Sequence, residues 1–349
     1  MRLLVTGGAG FMGSNFIRYI LHKYPHYEVV NLDRLTYAGN IENLTDIEER
    51  FGARYKFVKG DIAASSLVKK IVREVDAIIN YAAETHVDRS ILSPKSFILT
   101  DVVGTYTLLE AARQYRIKRF IQISTDEVYG SIQAGVFTET SPFRPNSPYS
   151  ASKAGADHLV RAYFKTYGIP TIVTHSVNFM GPYQYPEKLI PLFITNLLED
   201  KKVPLYGDGK NVREWIFTQD HCAAIDLILH GGQIGESYNI SAGYEKTNLE
   251  ITQLILKELN RGEEYIEYVP DRPGHDFRYA LSWTKLKNLG WEPGYSFEEA
   301  LRITIQWYKD NQEWWKRLKD RNYWLYYKKQ YEDRGKQLVI SRQPSTKKS

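Results

Sequence analysis

The chain holds a single cysteine, Cys222, among 349 residues. One thiol excludes an intramolecular disulfide and any zinc cluster built from several cysteines. Its surroundings, Asp220-His221-Cys222-Ala223-Ala224-Ile225, read as helical, and the thiol as buried and inert. The eight histidines include no His-Glu-x-x-His pair, so the zinc-hydrolase helix is missing and no metal site is expected. No run approaches the roughly 18 apolar residues of a membrane span. The first strand is expected to start at Arg2, which leaves no room ahead of it for a signal peptide, and a cytoplasmic protein is the expectation. An excess of one charge is also missing once the end of the chain is set aside. The net charge is +5, but residues 328–349 carry Lys328, Lys329, Arg334, Lys336, Arg342, Lys347 and Lys348 against only Glu332 and Asp333. The remainder is neutral, so no basic face for nucleic acid is expected on the folded body. No internal repeat is found.

What the chain does have begins at its N-terminus. Arg2-Leu3-Leu4-Val5-Thr6 is a short apolar run, followed by Gly7-Gly8-Ala9-Gly10-Phe11-Met12-Gly13 and a helical pattern. Glycines at 7, 10 and 13 between a strand and a helix allow a tight turn, close approach to a pyrophosphate and close helix–strand packing. A second run, Tyr27-Glu28-Val29-Val30-Asn31-Leu32, ends at Asp33, about 20 residues after Gly13. A carboxylate there accepts from ribose hydroxyls and repels a 2′-phosphate. NAD is therefore expected, with Arg34 beside it keeping NADP open. Further runs, Tyr55-Lys56-Phe57-Val58, Asp76-Ala77-Ile78-Ile79-Asn80-Tyr81 and Arg119-Phe120-Ile121-Gln122-Ile123, alternate with helical segments such as 94–115. This alternation predicts an α/β fold with a doubly wound parallel sheet of Rossmann type. Ligands bind such sheets at the carboxyl ends of the strands.

At one such end the reactive side chains gather. Ser124-Thr125-Asp126-Glu127-Val128-Tyr129-Gly130 supplies two adjacent carboxyls, and Tyr149-Ser150-Ala151-Ser152-Lys153 a phenol and an amine. Tyr149 and Lys153 share one helix face. A close ammonium favours phenolate, so Tyr149 is expected to have a lowered pKa and to act as a base. Asp126 and Glu127 can divide into an acid and a base if their surroundings differ. The pattern suggests redox chemistry joined to proton transfer.

After Pro170-Thr171-Ile172-Val173-Thr174 the pattern becomes less regular. A helix is expected near 187–199. Val203-Pro204-Leu205-Tyr206 and Val212-Arg213-Glu214-Trp215-Ile216-Phe217 flank a turn at Gly207-Asp208-Gly209-Lys210-Asn211. Helices are expected near 219–230, 247–259 and 296–319, and strands near 236–240 and 265–269. The expected division is a cofactor domain over 1–175, a smaller, mainly substrate-binding domain over 176–320 with segments that can return to the sheet, and a basic aromatic tail over 321–349. The aromatic stretch 311–331 reads as the amphipathic end of a helix packed back on the body, and 341–349 as disordered.

The glycine loop, the Ser124–Gly130 segment and the Tyr149–Lys153 pair together resemble the extended short-chain dehydrogenase/reductase superfamily. Asp33-Arg34-Leu35-Thr36-Tyr37-Ala38-Gly39-Asn40, Ala82-Ala83-Glu84-Thr85-His86-Val87-Asp88-Arg89-Ser90, Pro182-Tyr183-Gln184-Tyr185-Pro186-Glu187-Lys188-Leu189-Ile190-Pro191 and Asp271-Arg272-Pro273-Gly274-His275-Asp276 narrow the likeness to the dTDP-glucose 4,6-dehydratase family, over about residues 1–320. The resemblance implies that Tyr149, helped by Lys153 and Thr125, takes the proton of the glucose 4-hydroxyl as C4 is oxidised by NAD. Glu127 then removes the C5 proton and Asp126 protonates the leaving 6-hydroxyl. It implies an NAD site lined by Gly7, Gly10, Phe11, Met12, Gly13, Asp33, Arg34, Leu35, Thr36, Asp61, Ile62, Tyr81, Ala82, Ala83, Thr100, Tyr149 and Lys153. It implies a nucleotide-sugar site of Thr85, Asn178, Lys188, Leu189, Pro204, Leu205, Tyr206, Arg213, Asn248, Asp271, Arg272 and His275, with Arg213 and Arg272 clamping the diphosphate. A homodimer built on helices near 94–115 and 150–168 is implied as well.

Asn178-Phe179-Met180-Gly181-Pro182 departs from the family's Asn-Asn-Tyr-Gly-Pro: Phe179 replaces an amide that lies toward the nicotinamide. His175 and Phe277 are further departures. The alternatives are an epimerase or decarboxylase of the same superfamily, neither of which needs both Asp126 and Glu127, and an NAD-binding scaffold, which needs none of the four reactive groups.

Overall fold

Twelve strands alternate with helices in a computed structural model that describes residues 1–271 and 274–332. In chain order the strands are β1 (Arg2–Thr6), β2 (Glu28–Asp33), β3 (Tyr55–Lys59), β4 (Ala77–Asn80), β5 (Arg119–Thr125), β6 (Thr171–Ser176), β7 (Asn178–Met180), β8 (Val203–Tyr206), β9 (Val212–Phe217), β10 (Ser237–Ile240), β11 (Tyr244–Thr247) and β12 (Ile266–Val269). Seven of them form one sheet in the order β10-β6-β5-β4-β1-β2-β3, every pair parallel. The order reverses beside β1, which makes the carboxyl ends of β1 and β4 the crevice of a doubly wound fold.

Strands of a parallel sheet are covered on both faces, so consecutive side chains must enter opposite cores. They do. Leu3, Val5, Ala77, Ile79, Ile121 and Ile123 join Phe16, Ile17 and Ile225 on one face. Leu4, Ile78 and Phe120 join Leu108, Leu109 and Val160 on the other. This explains why the strands read as continuous apolar runs instead of alternating ones. Cys222 is buried and free, its thiol pushed up by burial.

By compactness the chain divides into two units. The first comprises Met1–Gln184, Arg213–Glu245 and Asp276–Ala300; the second comprises Tyr185–Val212, Lys246–His275 and the residues from Leu301 on. The boundaries differ from a single cut after residue 175, because β10 returns to pair with β6, from Ser237↔Val173 to Ile240↔Ser176. In the second unit β8 pairs in parallel with β12, beside the helices Leu189–Leu198 and Asn248–Glu258.

Three local expectations are refined. The turn 207–211 does not close a hairpin, since β8 pairs with β12 and β9 with β7. The helix expected over 94–115 contains a π-helical stretch, Ile98–Gly104, between Pro94–Phe97 and Thr105–Tyr115. The helix expected over 296–319 breaks at Asn311, whose amide donates to the Trp307 carbonyl at 2.8 Å, so that Phe297–Asp310 and Gln312–Leu318 are separate. The aromatic stretch then packs inward: Trp315, Tyr323 and the Lys319 side chain are buried in the second unit. The disorder expected for 341–349 lies outside the described residues. Among the described residues no helix is long and apolar enough to cross a membrane, and no cluster of metal-binding side chains is found.

Candidate active site

Strand β5 ends at Thr125 and passes directly into a 3-10 turn, Asp126–Tyr129. Thr125 caps that turn: its Oγ1 accepts the Glu127 N–H at 3.3 Å and donates to Asp126 Oδ1 at 3.0 Å. Packed against it is the helix Pro148–Tyr167, whose start is strongly specified. The Ser147 hydroxyl accepts the Ser150 N–H at 3.1 Å, the Ser147 N–H donates to Ser150 Oγ at 3.0 Å, and Pro148 presets the first turn. Tyr149 is thereby fixed in the first turn and Lys153 one turn on. The Thr125 side chain also neighbours Tyr149, whose pKa it acts to lower. Lys153 Nζ donates to the Ile123 carbonyl at 2.7 Å, which ties the helix to β5.

The electrostatics separate the two carboxyls. Asp126 is 2% exposed and its Oδ2 has no hydrogen-bond partner. Burial first, and neighbouring Glu127 second, push its pKa well above the usual carboxylate range, which favours its protonated form. Glu127 is less buried. The expectation for Tyr149 is corrected. Burial raises its pKa, the charges of Glu127 and Asp101 add to this, and Thr125 acts the other way. Lys153, which donates to the Ile123 carbonyl, is not among the chief influences on it.

Most of the candidate cofactor residues follow β1, β2, β3 and β4. Gly7 has φ +65°, and a Cβ there would stand 2.7 Å from the Ala82 nitrogen; at Gly13 it would stand 2.4 Å from the Gly7 oxygen. Glycine alone fits both positions. Gly10 precedes the helix Phe11–Lys23 without a side-chain cap, so the first-turn N–H groups and the positive end of the helix dipole serve an anion. Asp33 stitches the loops together, its Oδ2 accepting from Ala9 N–H at 2.9 Å and its Oδ1 from Leu35 N–H at 2.7 Å. Each oxygen keeps a lone pair for a ribose hydroxyl. Arg34 points its guanidinium at Asp61 (2.8 Å) and Glu84 (3.2 Å); two carboxylates compensate the charge that a 2′-phosphate would need. The Thr100 hydroxyl is buried without a partner. The set fits NAD. Tyr81 contributes backbone only, since its ring lies in the core 5.6 Å from Phe16 and 6.1 Å from His221.

The nucleotide-sugar candidates fall in both units. In the first, buried Arg213 donates to the carbonyls of Asp276 (2.9 Å) and Phe277 (3.3 Å) and lies over the Tyr279 ring at 4.5 Å. Asn178 donates to the Glu214 carbonyl at 3.4 Å, and Thr85 lies exposed after β4. In the second, Lys188 precedes the helix Leu189–Leu198. Pro204, Leu205 and Tyr206 form β8, and the Asn248 N–H donates to the Asn211 carbonyl at 3.0 Å. His275 Nδ1 is 2.6 Å from Asp271 Oδ1, and its ring meets Tyr206 edge-on at 6.1 Å. Arg272 lies outside the described residues.

The GDP-mannose 4,6 dehydratase family profile matches residues 4–304. The chain belongs to this family. Among its relatives is a dTDP-glucose 4,6-dehydratase of Streptomyces niveus, 51% identical over 324 residues that span 91% of this chain and 96% of that protein. The low-salt glycan biosynthesis protein Agl12 of Haloferax volcanii is 52% identical over 313 residues, 90% of this chain and 100% of that one. The crystal structure of DesIV, a dTDP-glucose 4,6-dehydratase from Streptomyces venezuelae with NAD and TYD bound, superposes with a TM-score of 0.89 at 51% identity, covering 91% of this chain and 100% of that one.

Within this 4,6-dehydratase family member, Phe179 stands edge-on to His221 at 4.8 Å and to Phe11 at 6.4 Å, an apolar wall beside the cofactor loop. Met180 is fully buried. Sequence reasoning missed Asp101, Asp276 with Tyr279, and Gln330 with Tyr331. The last pair reaches Tyr206: Gln330 donates to its hydroxyl at 2.6 Å and Tyr331 stacks on its ring at 5.7 Å. The signal available for Asp101 was a lone acid in an otherwise apolar helical stretch.

Proposed function

We propose that the protein dehydrates dTDP-glucose to the 4-keto-6-deoxy sugar. The observation that carries this reading is the Thr125 hydroxyl bonded to Asp126 and neighbouring Tyr149, with Lys153 of the same helix anchored on β5. A scaffold needs none of this, and an epimerase needs no carboxyl pair. Tyr149 takes the 4-hydroxyl proton and Thr125 holds the same oxygen. NAD, when bound, supplies the hydride acceptor and donor and places a cationic ring whose charge favours phenolate. The 4-ketone acidifies the C5 proton, which Glu127 removes, while protonated Asp126 delivers its proton to the leaving 6-hydroxyl. Arg213, held by two carbonyls, is presented to the diphosphate as a preformed fork.

A homodimer and a cytoplasmic location belong to the same reading. Support for the dimer comes from exposed apolar side chains along one helical stretch, Ile98, Leu99, Val103 and Tyr106, and from Tyr167. The activity is tested by incubating the protein with dTDP-, UDP- and GDP-glucose and GDP-mannose and reading the alkali-dependent absorbance of a 4-keto sugar. Signal with dTDP-glucose above the others is expected; none from cofactor-bound protein refutes the reading.

A further inference from the structure

Asp101 sits in the π-helical stretch Ile98–Gly104, a rare geometry that redirects side chains and recurs at functional sites. It is 1% exposed. Its Oδ1 accepts the Glu84 N–H at 3.1 Å, and its Oδ2 lies 2.6 Å from the Ser152 hydroxyl. That hydroxyl is also 2.7 Å from the carbonyl oxygen of Tyr149. Ser152 carries one hydrogen and faces two acceptors at short range. Both contacts are hydrogen bonds only when Asp101 carries a proton and donates to Ser152, which then donates to Tyr149.

We propose that Asp101 is a positioning residue for the Tyr149–Lys153 pair: protonated, it completes a relay through Ser152 to the first turn of the catalytic helix, and ionised, it becomes a second buried anion that competes with the Tyr149 phenolate for Lys153. The groups facing it are Tyr149, Ser152 and Lys153 from the helix Pro148–Tyr167, and Glu84 from the loop after β4, itself held by Arg34 at 3.2 Å. Burial lifts the Asp101 pKa to about 7 despite the opposing influence of Lys153, so it titrates in the working range. Two anions served by one ammonium titrate against each other. Loss of the Asp101 proton therefore raises the proton affinity of Tyr149 as pH rises, and acts as a brake on the base.

The inference rests on Tyr149 serving as base in the proposed reaction, and its test has one arm that needs no turnover. In infrared difference spectra of wild type against Asp101→Asn, a protonated-carboxyl stretch is expected at pH 6 and is expected to fade above pH 7. In kcat/KM profiles Asp101→Asn and wild type are expected to coincide below about pH 6, and the variant to rise above wild type, by up to roughly tenfold, as pH passes 7. If Asp101→Asn fails to fold, Ser152→Ala serves instead. It removes the donor to the ionised carboxylate, so the carboxyl stretch is expected to persist to higher pH. Absence of the band at pH 6, or a uniform loss of activity with unmoved limbs, overturns the proposal. Lack of dehydratase activity with the band present refutes only the proposed reaction.

Discussion

Glu214→Gln is expected to stabilise the protein in alkaline solution and to leave it unchanged in acid. Glu214 lies on β9, is 2% exposed, and accepts the Leu281 N–H at 2.9 Å and a bond from Ser241. Burial is the main cause of a pKa raised to about 7. The native state thus binds this proton more tightly than the unfolded chain does. For a carboxyl raised in the fold, the associated stability is complete below the unfolded pKa near 4.5 and is lost as pH rises through 7. The full shift corresponds to about 3 kcal/mol. Structural relaxation and water penetration reduce that, so about 1–2 kcal/mol is expected at pH 8. Glutamine keeps an acceptor for Leu281 and carries no charge to desolvate. Urea midpoints at constant slope, measured from pH 4 to 8, report the difference. Midpoints that separate equally at both ends, or a variant weaker than wild type at pH 8, refute the assignment of a buried, proton-binding Glu214.

Four further outcomes follow from the same contacts. Ser147→Ala removes the cap that fixes Tyr149 and is expected to cost about 1 kcal/mol in thermal unfolding and to lower kcat more than it raises KM. Lys319→Ala removes the buried amine 2.9 Å from Glu199 and leaves Lys201, at 3.1 Å, as that carboxylate's remaining cation; a loss of about 1–2 kcal/mol in the urea midpoint is expected, and a smaller one for Lys319→Met. Glu127→Gln is expected to abolish water loss while some oxidation at C4 persists, seen as reduced nicotinamide absorbance that builds up on the enzyme. Leu99→Glu combined with Val103→Glu is expected to yield monomer in light scattering if the exposed stretch is the dimer face, and an unchanged mass removes that assignment.

Much of the fold was legible because parallel sheets leave a strong trace. β1, β4 and β5 are buried on both faces, so each appears as an uninterrupted apolar run bounded by a turn. The glycines carried information for a similar reason: contact with Ala82 and with Gly7 itself leaves no room for any other residue at 7 and 13. The turn at 207–211 stands where its residues put it, but local residues fix only where a chain bends, and the partner of β8 is β12, about 60 residues away. The π stretch at 98–104 was equally invisible. Its residues favour no π geometry over α, and the stretch packs on the helix Pro148–Tyr167.

The reactive residues themselves stood out because the chemistry places them in contiguous segments. Their protonation states did not, and the Tyr149 expectation shows why. Spacing on a helix tells that Tyr149 and Lys153 share a face, but the pKa depends on everything else that shares the cavity. Glu127 arrives from β5 and Asp101 from the π stretch, and both act on Tyr149 in the direction opposite to the ammonium. Lys153 meanwhile is held by the Ile123 carbonyl, a neutral acceptor that fixes its position without cancelling its charge. Burial favours the protonated forms of Tyr149, Asp126 and Asp101, and a further positive charge beside them favours ionisation. The Tyr-x-x-x-Lys motif alone therefore does not set the protonation state of Tyr149, and the motif is best read as a marker of position.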